Sequence, residues 1–431
     1  MLDTVLNFLV KNIMSQPAIF MGILVFVGCR IRKLPSKDTL ISTVKAVVGM
    51  LVLDIGSRAI VASSRPILDI FVEKMGVVGV VTDIWAATYV ASDLLEAPGI
   101  ANFGLVMLGG FALNLILART TKWKTIHLTL QGQYTDAAGA VFIIFALTGL
   151  TGVPLCLAAI VLCGASWWIS SYLIKDCVQP IVNDMGRTIS VGHASCFSSF
   201  LICKLAKRVG DPSQNAEKMK LPGFLAVFNN SLVAYSLVMG TIFGSIVAAC
   251  GPEIAAPYCG TMNFVIYGIM QGFICSCGVY VLGQGVQVFV GELLPAFLAI
   301  TDKFIPGAIP ALDIPVVFAY GERSLILGFL FFTLGQLLSF IIMIAMRSPV
   351  IAVPSVLIIF FCGAIHGIFA NAWGGIRAIA ICCFTFGVIT LFGSSLLAYI
   401  TNANLAIWGQ SDHITLWLPI ALVLRGLFGA R

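Results

Sequence analysis

Residues 49–74 of this chain recur, without a gap, 229 positions later. Gly49 falls on Gly278, Val52 on Val281, Leu53 on Leu282 and Gly56 on Gly285. Val61, Pro66 and Lys74 then fall on Val290, Pro295 and Lys303, and with one inserted residue Asp83 meets Asp313. A self-match of this length inside very apolar sequence restricts the chain to folds built from two related halves. In membranes those folds are transporters whose halves enclose a site near the bilayer midplane.

The class follows from composition. Hydrophobic residues make up 59% of the chain and charged residues 10%, against about 25% charged in soluble domains. Mean hydropathy is +1.02. We therefore expect an all-α polytopic membrane protein with no room for a sizeable soluble domain. The opening MLDTVLNFLVKN carries an acid where a signal peptide would be basic, so it reads as mature structure. The 13 cysteines sit mostly singly in apolar runs. None has zinc-type spacing with histidines, and they read as small packing residues; no metal and no cofactor is expected.

A spanning helix needs about 20 apolar residues. About eleven such stretches begin near residues 16, 41, 99, 137, 154, 223, 262, 325, 349, 377 and 411. Basic residues gather in three loops: Arg30, Arg32, Lys33 and Lys37; Arg119, Lys122 and Lys124; and Lys204, Lys207, Arg208, Lys218 and Lys220. The positive-inside rule makes all three cytoplasmic, with the N-terminus outside and the C-terminus inside. Shifted by 229, the basic loop 30–37 lands on CGTMNFVI, which has no basic residue. The halves are thus expected to have inverted topology. Only Gly210–Pro222, GDPSQNAEKMKLP, reads as a soluble linker. It divides the chain into a first membrane half at 1–209, a cytoplasmic linker at 210–222 and a second membrane half at 223–431.

Ionisable and polar groups at membrane depth mark the candidate site. Asp313 lies in IPGAIPALDIPVVF, where three prolines oppose regular helix. Broken backbone at that depth must be covered by protein or line a cavity. Its twin is Asp83. His193, in RTISVGHASCF, offers an imidazole that hydrogen-bonds a hydroxyl or takes its proton. The run HLTLQGQYTDAAGA holds Gln131, Gln133, Tyr134, Thr135 and Asp136. It reads as a re-entrant or cavity-lining segment whose amides and hydroxyls suit a polyhydroxylated ligand. Trp167–Trp168, Trp408 and Trp417 read as interfacial anchors. There is no phosphate-binding loop, dinucleotide fingerprint, nucleophile elbow or zinc-protease motif, which argues against an ATP-driven pump or a soluble-type enzyme.

Three segments carry a family resemblance: SVGH at 190–193, IPGAIPALD at 305–313 and IFANAWGGIRA at 368–378. With them the chain resembles the ascorbate-type permease component IIC of the bacterial phosphoenolpyruvate-dependent phosphotransferase system, from the RIRKLPSK loop to about residue 400. The resemblance implies a homodimer of eleven-span subunits in the bacterial inner (cytoplasmic) membrane. Each subunit would have a site-bearing core domain, moving as an elevator, and a V-shaped dimerisation domain. It also implies a cytoplasmic IIB protein that phosphorylates the arriving substrate, itself supplied by IIA, HPr and enzyme I. No nucleic-acid partner is implied.

The implied ligand positions are Asp83 and the pair after it, the polar run, His193 with the residue after it, and Asp313. His193 and Asp313 match the family pattern and are the candidate catalytic pair, to orient the hydroxyl and take its proton. The family's Thr-Tyr pair is here Ile84–Trp85; Gln131 stands where it has histidine, and Ala194 where it has glutamine. Ascorbate or a related sugar acid or sugar is the implied substrate class. The competing expectations are an ion-coupled secondary transporter using Asp83 and Asp313, and an intramembrane transferase with a catalytic His193.

Overall fold

The computed structural model describes residues 17–76, 80–82, 91, 94–96, 98–182, 188–219, 230–401 and 408–428. In the first half of the chain, helices α1 (Pro17–Ile31) and α2 (Ser36–Met75) precede strand β1 (Val80–Val81) and helix α3 (Phe103–Thr120). Strand β2 (Thr125–His127), helices α4 (Leu130–Thr148) and α5 (Gly152–Val178), strand β3 (Ser190–Val191) and helix α6 (Cys196–Val209) follow. The second half opens with α7 (Ser231–Cys250), α8 (Pro252–Cys259) and α9 (Phe264–Phe304), then β4 (Ile309–Leu312) and α10 (Pro315–Phe318). It closes with α11 (Glu322–Ala345), β5 (Ala352–Val353), α12 (Val356–Ile400) and α13 (Leu418–Phe428).

Six of these helices are long and apolar enough to cross a bilayer, and the apolar stretches of α1, α7 and residues 413–428 are shorter. The protein is a multi-pass helical membrane protein. It is mostly helical, as the composition suggested, with a few short strands: β2, β4 and β3 form a three-stranded sheet in the order β2-β4-β3, and β1 pairs with β5. All these pairings are parallel. Proline-broken segments cannot satisfy their own backbone, so in a dry interior they pair with one another. Each ladder joins the two halves of the chain, with Val81 beside Val353 and His127 beside Ala311.

The repeated segments are the two longest uninterrupted helices, α2 and α9, and each contains its proline, Pro66 or Pro295. They cross against each other through glycine. A Cβ on Gly56 would lie 2.6 Å from the carbonyl oxygen of Gly278, and one on Gly285 would lie 2.8 Å from that of Gly49. Gly278 is the 229-residue image of Gly49, and Gly285 that of Gly56. The two contacts therefore exchange when the segments are swapped. Because residue 49 meets 285 while 56 meets 278, the helices run antiparallel. Helices α1, α7 and α8 pack around this pair to make a frame.

The second packing unit comprises α3–α6 and α11–α13 around the short sheets. Helix α12 breaks at Gly375, whose φ of 63° disfavours any side chain. Residues 211–219, expected as linker, are folded against that break. Asp211 N–H donates to the Gly374 carbonyl and Ile376 N–H to that of Gln214. The Ser213 hydroxyl and N–H hold the exposed Asp211 carboxyl below the usual carboxylate range. Glu217 caps α11 with both oxygens, accepting from Arg323 N–H at 3.1 Å and Ser324 N–H at 2.8 Å.

Candidate functional site

Strand β4 orders the site. Its Leu312 pairs with Val191, and the Leu312 carbonyl accepts from Gly192 N–H at 2.7 Å. That register puts Asp313 at the end of β4 and His193 just past the end of β3, beside it. Asp313 turns the chain into α10, its Oδ1 accepting from Ile314 N–H at 2.8 Å. On the other edge of β4 lies β2, which carries His127. Asn114 on α3 fixes this strand: its Oδ1 accepts from His127 N–H and its amide donates to the Thr125 carbonyl. Ser171 Oγ meets His127 Nδ1 at 3.2 Å, and the Thr129 hydroxyl donates to the Gly192 carbonyl.

The polar run begins in β2 and continues as the first turns of α4, so most of it is helical. Gln133 points into the sheet, its amide donating to the His127 carbonyl at 3.0 Å. Asp136 is buried and doubly bound: Oδ2 accepts from Trp167 Nε1–H at 2.8 Å, and Oδ1 meets His413 Nε2 at 3.3 Å. The other predicted members of the run face elsewhere. Tyr134 sets its ring edge against Phe103, and the Thr135 hydroxyl is spent on the Gly132 carbonyl. Gln131 falls in the first turn of α4, its side chain outside the described part. Asp83, Ile84 and Trp85 also lie outside the described residues. Thr82, the residue before them, is buried, and a Cβ on Gly409 would touch its carbonyl oxygen at 2.9 Å.

Residues 408–413 are the part of the site that the sequence reading missed. They interlock with the His193 loop: Asp412 N–H donates to the Ala194 carbonyl, and the Asp412 carboxylate accepts from Phe197 N–H and Ser198 N–H, both at 2.8 Å. Ala194 thus contributes backbone. One signal was available in the sequence. Val191-Gly-His-Ala-Ser195 has a counterpart in Trp408-Gly-Gln-Ser-Asp412, with glycine followed by a hydrogen-bonding side chain. Each glycine packs on a strand end, Gly192 on Ala311 and Gly409 on Thr82. Trp167, Trp408 and Trp417 are buried core residues rather than interfacial anchors, and Trp417 donates to Ser166 Oγ at 3.0 Å.

The chain has four histidines, and they converge. His127, His366 and His413 all lie within electrostatic reach of His193. In each, a buried ring nitrogen has no partner: His127 Nε2, His193 Nδ1, His366 Nδ1 and His413 Nδ1. Gln133 Oε1, Gln410 Oε1 and Trp408 Nε1 are also buried and unpartnered. One of these roles is fixed by chemistry. Against the Asp136 carboxylate, His413 carries its proton on Nε2, so Nδ1 is a bare acceptor. Ser198 Oγ lies within hydrogen-bond reach of both the Ser195 carbonyl and His366 Nε2. These atoms are the unused hydrogen-bonding capacity of the cluster.

Among the described residues no group of three His, Cys, Asp or Glu side chains is placed to hold a metal ion. A cavity of about 1030 Å³ opens on the opposite side of the β4–α10 turn, between α7, α9 and α11. Tyr235, Tyr280, Gln284, Gln287 and Pro315 are among its lining. It borders Asp313's segment but not the histidine cluster.

A multi-pass helical protein whose two halves interlock around buried, unsatisfied polar atoms is a membrane permease in architecture. The comparisons give its family. Residues 12–412 match the family described as the PTS system sugar-specific permease component, EIIC-GAT, and the chain belongs to it. It is also 25% identical over 418 residues to the "Ascorbate-specific PTS system EIIC component" of Mycoplasma pneumoniae. That alignment covers 85% of this chain and 62% of the relative, so the chain spans less than two-thirds of the relative's length.

Proposed function

We propose that this chain is the membrane-embedded permease of a phosphotransferase system, which takes up a polyhydroxylated solute while a separate IIB protein phosphorylates it. The observation that carries this reading is the set of buried, unpartnered polar atoms around the His193 loop and residues 408–413. Leaving such atoms unpaired costs about 1–3 kcal/mol each, and a ligand that brings several hydroxyls removes that cost. The relative's name makes ascorbate the first substrate to test, with a related sugar acid or sugar as the wider class.

His193 and Asp313 orient the substrate beside the β3–β4 edge. The antiparallel, exchangeable contacts of α2 and α9 support inverted-topology halves. The basic loops support a cytoplasmic 211–219 segment, an external N-terminus and a cytoplasmic C-terminus. In that orientation the cavity beside Tyr235 and Glu322 opens toward the cytoplasm, where IIB would reach the substrate. A homodimer formed through a V-shaped domain, elevator movement of the core and residence in the bacterial inner membrane complete the proposal.

Uptake into vesicles tests the coupling. Accumulation of labelled ascorbate should require phosphoenolpyruvate and the soluble carriers and be indifferent to collapse of ion gradients. Gradient-driven uptake without carriers would make this an ion-coupled transporter. Topology is tested by single-cysteine labelling in a background cleared of reactive cysteines. A cysteine at position 214 should label only from the cytoplasmic side and one at 253 only from outside; external labelling at 214 would refute the orientation.

A further inference from the structure

We infer that Asp136 and His413 form the proton-accepting dyad of the coupled reaction, with His413 Nδ1 taking the proton of the substrate hydroxyl. The inference rests on the phosphotransfer reading above and assigns a role within that site to a residue near the end of the described chain.

Four histidines surround the gap, and they are not equivalent. His127 is paired with a serine, as is His366. For His193 no carboxylate partner is found among the described residues. Among the described residues, His413 is the one of the four paired with a carboxylate. That pairing does two things. It holds the tautomer with the proton on Nε2, which leaves Nδ1 as a lone pair, and it places a negative charge where an imidazolium would form. Asp136 is itself held by Trp167 Nε1–H, and the His413 ring is clamped between Trp417, 4.7 Å away, and Trp408, 6.2 Å away. A base so fixed loses little freedom on reaction. Its free nitrogen is buried and unpartnered beside two further unfilled atoms, Gln410 Oε1 and Trp408 Nε1.

The groups facing the dyad are Cys163 and Trp167 from α5, His127 from β2, His193 from the β3 loop and Asp412 from its own turn. No lysine or arginine among the described residues is buried there to neutralise Asp136.

The step balances. The substrate hydroxyl oxygen forms a bond to the phosphorus carried by the IIB side chain as the bond from phosphorus to that side chain breaks, and the departing atom keeps the electron pair. The hydroxyl proton moves to His413 Nδ1, and Asp136 stabilises the imidazolium. The proton then passes to the departing carrier side chain or to water, which resets the base.

The test uses the full chain in lipid nanodiscs, carrier protein labelled with radioactive phosphate, and ascorbate, mannitol and glucose as probes. Single-turnover transfer and equilibrium binding are both read. His413→Gln should bind the accepted probe within about 3-fold of the parent yet transfer about 100-fold or more slowly, the range of a lost general base. Asp136→Asn should slow transfer less than His413→Gln does. The double variant should be no slower than His413→Gln alone, because residues acting as one unit are not additive. If His413→Gln does not fold, His413→Asn and the Asp136→Asn binding-against-transfer split decide the matter. Transfer within a few-fold of the parent by a folded His413 variant, or strictly additive losses, would overturn the dyad and leave the permease reading intact. A parent protein that transfers to none of the three probes overturns the phosphotransfer reading and the dyad with it.

Discussion

The crossing of α2 over α9 and the gap around His193 and His413 are both made where one half of the chain meets the other, and they follow opposite rules. At the crossing, glycine lets backbone touch backbone, and apolar side chains such as Ile60 and Ile67 are fully buried. In the gap the backbone is well paired through short parallel strands, yet side-chain atoms from Gln133, His193, Trp408, Gln410 and His413 are buried without partners. Proteins keep few such atoms, because each removes stability and gives nothing back unless something binds. The crossing satisfies itself, whereas the cluster leaves hydrogen-bonding capacity unused.

Substitutions can break that contrast or sharpen it. The largest effect is expected at the crossing. Gly56→Leu drives a side chain into the Gly278–Leu282 backbone, where overpacking costs about 1–3 kcal/mol or more. We expect loss of the monodisperse peak in detergent. Gly283→Leu, on the partner helix α9 with open space around it, should elute as the parent does. Equal behaviour of the two variants would refute the close crossing.

Next is Asp313→Asn. Hydrogen bonds to charged groups contribute about 1.5–3 kcal/mol, so ascorbate binding should weaken at least 10-fold by calorimetry, with little change in melting temperature. Unchanged affinity would reduce Asp313 to a turn residue serving Ile314.

Gln410→Leu tests the contrast most directly. It removes a buried unpartnered oxygen, and replacing such an atom by an apolar one is neutral or stabilising. The melting temperature should hold or rise while the ligand-induced shift shrinks. A fall in stability without ligand would mean that Gln410 already has a structural partner.

The smallest effect is expected at the folded 211–219 segment. Glu217→Ala removes a cap of the kind that contributes about 1 kcal/mol. It should speed limited proteolysis near residue 217 and leave substrate affinity alone. Weakened binding would tie that segment to the site.

Read alone, the sequence determined the membrane class, the helical character, the family resemblance and the paired segments at 49–74 and 278–303. Each follows from composition, periodicity or identity along the chain, which local physics preserves. It also picked out His193 and Asp313, because an ionisable group in a broken apolar segment is conspicuous wherever the chain goes. It grouped Tyr134 and Thr135 with the polar run, and only the packing of α4 showed Tyr134 against Phe103 and the Thr135 hydroxyl on the Gly132 carbonyl. It read Trp167, Trp408 and Trp417 as anchors, since an indole at a span end looks the same whether it meets lipid headgroups or a buried carboxylate. Residues 211–219 read as linker because their hydrogen-bond partners, at the α12 break and the α11 N-terminus, lie more than a hundred residues away. Only the tertiary structure decided that His413, distant from Asp136 by 277 positions, shares its carboxylate. The register of the short parallel strands and the interlock of the 193–198 and 408–413 loops bring the two together. A contact between residues so far apart in the chain leaves no periodicity and no motif, and it exists only once both halves have packed.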